Sequence, residues 1–326
     1  MSLSKKIKKL RQSEQKKALV VDQFRAWYRN SRTPIFRWCR LSSDPFISGE
    51  TFRLMADIKL VSLTTKSILK AKNRIESLFL KGNFHVVIFV DLHCTIDTLG
   101  QEKIIHLMRL IRKPPNAKIS VVFHNHDIVP SADFFLEIKK LSIQCYSPNV
   151  LDSAYGVVPI PLGLENRYFH RNGVIKYFPT SRDLVSKDIH TRPVGIFASF
   201  GINTNPSERQ PVAELAMQYG HKFYEVRIQP EEFRKKLSES LFVLSPPGNG
   251  IDCHRTWESI YFGAIPVVMR YKLARSLFED LPIHVVDDWE EICSLDRQEL
   301  EKLYTSLVSK TDEKAYYKYW KNLIDS

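Results

Sequence analysis

Two runs, His85-Val86-Val87-Ile88-Phe89-Val90 and Lys118-Ile119-Ser120-Val121-Val122-Phe123, constrain the fold most. Each is short, nearly continuous in apolar side chains and rich in β-branched residues. That is the mark of a strand buried on both faces of a parallel sheet. Between them residues 99–112 read as a helix that Pro114-Pro115 stops. Residues 131–141 read as a second helix, and shorter strands fit 142–146 and 157–160. Residues 51–81 read as one or two amphipathic helices. Alternation of strand and helix requires crossover connections, which sets the class as α/β.

The pattern pauses over a polar, Pro-flanked stretch, residues 178–193, and then restarts. Val194 to Phe200 is a strand that runs into Gly201-Ile202-Asn203-Thr204-Asn205. Helices are expected over 208–219, 231–240 and 253–262, and strands over 221–226, 241–244, 265–268 and 283–286. An aromatic-rich helix covers 312–324. A chain of 326 residues suits two domains of ordinary size. The expected architecture is therefore two Rossmann-like α/β domains facing across a cleft. Residues 1–178 form the first, 179–192 the linker and 193–310 the second, with 311–326 packing back on the first.

Several classes are excluded. No run of eighteen apolar residues appears, so a spanning helix is not expected. Met1-Ser2-Leu3-Ser4-Lys5-Lys6 is not followed by the apolar core of a secretory signal. Cys39, Cys94, Cys145, Cys253 and Cys293 are scattered, with no C-x-x-C pair, which suits reduced thiols and offers no zinc site. The expected location is the cytoplasm, with a peripheral place on the inner face of a membrane left open.

Charge singles out one segment. Residues 1–40 hold twelve Lys and Arg against Glu14 and Asp22, which is ten of the net +12. Residues 1–30 lack Gly and Pro and carry Leu3, Ile7 and Leu10 at helical spacing. A basic helix of this kind can lie on an anionic membrane, touch nucleic acid or simply be solvated. Nucleic acid is the weakest of the three readings.

The chemistry gathers in Ser245-Pro246-Pro247-Gly248-Asn249-Gly250-Ile251-Asp252-Cys253-His254-Arg255-Thr256-Trp257-Glu258, which continues to Tyr261-Phe262-Gly263-Ala264-Ile265-Pro266. A buried strand enters a loop with two glycines, the loop opens a helix, and the helix runs through Gly263 into the next strand. Glycines allow close approach of backbone to a ligand, and free N–H groups at a helix start favour a phosphate. Arg255 in the first turn can hold a diphosphate bidentately. Glu258, three residues on, shares its face and can accept hydrogen bonds from ribose hydroxyls. The same pair could instead be a surface ion pair, and the G-x-G-x-x-G dinucleotide fingerprint is not met. Asn205 and Arg209, after the strand 194–200, should border the same crevice, where Arg209 is either a second cation for the diphosphate or a solvated arginine at a helix start.

This run resembles the donor-binding segment of exostosin-like glycosyltransferases of the GT-B architecture, on Ser245, Pro246, Gly248, Arg255, Glu258, Tyr261, Gly263, Pro266 and Val267. The stretch Asn249 to His254 departs from the commonest pattern, which leaves the donor sugar open. The resemblance implies a nucleoside-diphosphate sugar donor bound on the second domain, most simply UDP-linked; together with the crevice argument the donor-binding candidates are Ser245, Gly248, Asn249, Gly250, Arg255, Glu258, Arg209 and Asn205. It also implies metal-independent, inverting transfer to an oligosaccharide or lipid-linked glycan, as in surface polysaccharide synthesis, with no cofactor. Such transfer needs a general base from the first domain. Asp91, His126 and Asp127 at strand ends are the candidates, beside His93 and His124, although a residue at such a place can instead cap a turn or, as Asp91 or Asp127 could, start a helix. Glu165 lies near the domain junction. The alternative is a non-catalytic binding protein with a degenerate transferase fold, acting at a membrane surface or on nucleic acid.

Overall fold

The computed structural model describes residues 42–128, 130–150, 155–167, 172–180, 185–225, 228–270 and 275–326. They belong to one compact unit, Leu41–Ser326. The basic segment 1–40 and its expected helix lie outside the described residues.

The first half runs α1 (Gly49–Met55), β1 (Ile58–Leu60), α2 (Thr65–Leu80), β2 (His85–Asp91), α3 (Thr98–Leu110), β3 (Lys118–His124), α4 (Ala132–Lys139), β4 (Gln144–Ser147) and β5 (Val157–Pro159). Its five strands are all parallel and lie side by side in chain order. Polar side chains set the helix starts, as oxygens of Ser48, Thr64, Asp97 and Ser131 accept from backbone N–H groups of the first turns.

The second half runs β6 (Val194–Ser199), α5 (Pro206–Gln218), β7 (Phe223–Tyr224), α6 (Pro230–Glu239), β8 (Ser240–Leu244), α7 (His254–Tyr261), β9 (Ile265–Met269), α8 (Arg275–Phe278), β10 (His284–Val286), α9 (Glu290–Cys293), α10 (Arg297–Val308) and α11 (Tyr317–Asp325). Its parallel strand order is β10-β9-β8-β6-β7. The chain leaves β6 toward β7, then crosses back to β8 on the other side. The order therefore reverses between β6 and β8, and a doubly wound sheet of this kind binds ligands outside the carboxyl ends of the two strands at that point. The first sheet has no such reversal among β1–β5. Both sheets are compatible with Rossmann-like domains.

Two readings of the sequence are corrected. Residues 51–81 are not helical throughout, because Ile58-Lys59-Leu60 pairs with Ile88–Val90 as an edge strand. The strand expected over 221–226 is only Phe223–Tyr224 among the described residues. The end of the linker stretch 179–192 is packed into the fold, where Arg192 is fully buried and donates to the carbonyls of Ser186, Leu237, Ser240 and Phe262. That guanidinium also explains Gly263, which ends α7 at φ 74°, where a Cβ would stand 2.5 Å from Arg192 Nη2.

One apolar core serves both sheets. Phe46, Phe52, Val87, Phe89, Ile160 and Phe178 cluster with Phe197, Val243, Trp257, Tyr261 and Phe262. Tyr317, Trp320 and Ile324 of α11 join the same cluster. Tyr317 N donates to Pro45 O at 3.0 Å, and Phe46 forms an antiparallel bridge with Tyr316. Among the described residues no helix is long and apolar enough to cross a membrane.

Candidate functional site

The loop after β6 and the loop after β8 meet at the reversal point of the second sheet. Arg209, 6% exposed, ties them together. Its Nε donates to Pro247 O at 2.8 Å and its Nη1 to Gly201 O at 2.9 Å. Asn205 Nδ2 donates to Gly248 O at 3.0 Å. These two residues therefore shape the glycine loop through backbone carbonyls. Arg209 and Arg255 both lie against the buried ring of Phe200, their guanidinium carbons 5.8 and 5.4 Å from its centroid.

Arg255 is the unusual group. Its Nε and Nη1 are buried and have no hydrogen-bond partner. Burial is the main reason its pKa falls to about 10, with the Arg209 charge adding to the fall, so it stays a cation at neutral pH. A buried guanidinium without an acceptor costs several kcal/mol unless a ligand supplies one. Glu258, one turn on, forms no ion pair with it: it is 8% exposed and makes no hydrogen bond among the described residues. Burial pushes its carboxyl up to about 7, against an opposing pull from His254, and Glu165 adds to the rise. A surface ion pair between Arg255 and Glu258 is thus not what the sequence spacing produces.

Other sequence candidates fill structural places. Ser245 Oγ is buried and hydrogen-bonds Thr256 Oγ1 at 2.8 Å, so it braces the loop against α7 from inside. Asn249 is exposed at the loop tip. Gly248 N donates to Gly250 O at 3.0 Å, which closes the turn. Gly250 is buried, and a Cβ there would meet the Asn149 side chain at 2.7 Å.

The first half reaches the same loop. Asn149 Oδ1 accepts from Asp252 N at 2.8 Å, and Asn149 Nδ2 lies 3.5 Å from Asp127 O. Asp252 accepts from Leu162 N at 2.8 Å and from Trp257 Nε1 at 2.8 Å. His254 Nδ1 is 2.6 Å from Gly163 O. Asn149, Asp252 and His254 were not singled out from sequence, because their partners lie 90 to 103 residues away. The only sequence sign was that the Asn249–His254 stretch departs from the pattern around it.

At the strand ends of the first half, Asp91 is buried; its Oδ1 accepts from His93 N at 3.1 Å and its Oδ2 is 3.5 Å from Asn125 Nδ2. Asn125, at φ 73°, is held from the other side by Asn166 Nδ2 at 2.9 Å. His126 Nδ1 accepts from Ile128 N at 2.9 Å, which puts the proton of the neutral ring on Nε2. His124, 2% exposed, accepts from Asn125 N and meets Pro161 O, and burial pulls its pKa down to about 4. Both of its nitrogens are engaged. Asp127 is half-buried and enters the site through its carbonyl. Among the described residues no three metal-ligating side chains converge.

Strand ends of both sheets therefore come together around one loop. Beside that loop, at the reversal of the second sheet, stand Arg209 of α5 and Arg255 of α7, with a carboxyl and an imidazole on the first turns of α7. No protein-family model matches the chain, and no curated protein matches it.

Proposed function

We propose that the chain is a glycosyltransferase of the GT-B type that moves a sugar from a nucleoside diphosphate, most simply UDP, to a glycan acceptor. The observation that carries this reading is the half-buried Arg255, whose buried Nε and Nη1 lack an acceptor and which shares the Phe200 ring with Arg209, at the reversal between β6 and β8. A diphosphate supplies the acceptors that the fold withholds. Glu258, without a hydrogen-bond partner among the described residues, then takes hydroxyls of the ribose. The acceptor enters from the first half, beside Asp91, His126 and Asp127. Arg255, with the charge of the loop-bound Arg209 behind it, faces charge that develops on the leaving diphosphate, so in this reading no metal is needed. A single in-line displacement inverts the anomeric centre.

The test is a thermal-shift screen with UDP, GDP, CMP and ADP in the presence of EDTA, on wild type, Arg255→Ala and Glu258→Ala. One nucleotide at a hundred times its Kd should raise Tm by about 5 °C. The rise should vanish in Arg255→Ala and shrink in Glu258→Ala. Folded wild type that gives no shift with any nucleotide at millimolar concentration would sink the reading. A binding module that works through its basic segment would then remain.

A further inference from the structure

The geometry points to His254 as the general base that takes the acceptor hydroxyl proton, an inference that rests on the transferase reading above. The argument is one of tautomers. Gly163 O can only accept a hydrogen bond, so the 2.6 Å contact requires a proton on His254 Nδ1. The neutral ring then carries its lone pair on Nε2, and Nε2 has no partner among the described residues. A base needs this arrangement: one nitrogen fixed by a carbonyl, the other open. Of the three other histidines at the site, His93 packs against His126, and His126 and His124 cannot offer this arrangement. His126 Nδ1 accepts from a backbone N–H, so its Nε2 holds a proton and can only donate. His124 is buried with both nitrogens occupied. The Asp91 carboxylate already caps His93 N and meets Asn125.

Position agrees with the role. His254 is the first residue of α7 and is half-buried, one residue before Arg255 and one turn before Glu258. Its bond to Gly163 anchors it to the first half, on the acceptor side. The ionisable groups around it are Asp252 and Glu258 on its own segment, Glu165 beside Gly163, His124 at the end of β3, and Arg255. In the step, the acceptor oxygen forms a bond to the anomeric carbon and its proton passes to His254 Nε2. The bond from that carbon to the diphosphate oxygen breaks, and its electron pair leaves with the nucleotide toward Arg255 and Arg209. The new imidazolium is stabilised by the Gly163 carbonyl.

His254→Asn is the discriminating variant, because its amide NH₂ overlays Nδ1 and keeps the Gly163 bond while Nε2 is deleted. The assay follows UDP release from UDP-glucose, UDP-galactose, UDP-N-acetylglucosamine and UDP-glucuronate, with water as acceptor, across pH. The variant should keep the wild-type UDP thermal shift, lose about 10²- to 10⁴-fold in release, and lose the rising limb of the pH profile. A tenfold loss or less, or an unchanged rising limb, overturns the assignment. Wild type that shifts with UDP but releases none overturns it as well, and leaves nucleotide binding standing. Absence of any nucleotide shift instead removes the transferase reading itself. Long-range ¹H–¹⁵N spectra of wild type give an independent check: His254 should be the Nδ1–H tautomer and His126 the Nε2–H tautomer, and an Nε2–H form of His254 overturns the proposal.

Discussion

Glu258 is a carboxyl that burial holds near pKa 7, against 4.5 for an unburied group. Between those values the folded chain binds a proton that the unfolded chain has released. Stability therefore falls as pH rises from about 4.5 to about 7, and the full penalty is present above that. For a shift of this size it is on the order of 3 kcal/mol. Glu258→Gln should accordingly stabilise the protein by up to that order at pH 8 and by much less at pH 5, as read from urea midpoints at the two pH values. Equal gains at both would mean that the charge is not the cost. The cost is tolerated at a place where a carboxylate is useful. Arg255 is the same case with the opposite sign of charge, and both residue types stood out in the sequence at their spacing. What spacing could not reveal is that the two do not pair with each other. That depends on Phe200 and Arg209, which arrive from the loop and helix after another strand.

The loop between β8 and α7 is held by long-range bonds more than by its own turn. Asp252 accepts N–H groups from Leu162 in the first half and from Trp257 in α7, and all three are buried. Asp252→Ala strands both donors, so it should cost about 2–5 kcal/mol and speed hydrogen exchange at amides 248–253. Exchange unchanged there would show that the glycine turn stands alone. Legibility at this scale follows the distance of the partners. β2 and β3 declared themselves because a centrally buried strand is apolar at nearly every position. β1 did not, because three residues at a sheet edge with Lys59 exposed carry almost no periodic signal. α9 and α10 follow β10 in a stretch where no strong pattern was read, although Asp296 and Glu299 form a complete capping box at the start of α10. Most of the α/β order was therefore visible in the sequence, but the strand order that locates the reversal was not.

On the scale of the whole molecule, the two sheets share side chains. Phe46 packs 4.9 Å from Tyr261, Phe178 lies 5.4 Å from Phe262, and Tyr261 Oη donates to Ala315 O at 2.6 Å. Halves joined this way should melt as one unit, with coincident near- and far-ultraviolet circular dichroism curves and equal calorimetric and van't Hoff enthalpies. Two separated transitions would show that the shared core is weaker than either half. Domain count from chain length and the break near residues 178–193 would suggest independent folding, and neither can report a core built from both sides of the break.

α11 gives the molecule a schedule. Tyr317, Trp320 and Ile324 complete a core begun by Phe46 and Phe52, with the entire second sheet translated in between. During synthesis the face of the first sheet that carries Val87, Phe89 and Val122 stays without this cover until the second sheet has been made. A nascent chain stalled before Tyr316 is the form that exposes those side chains.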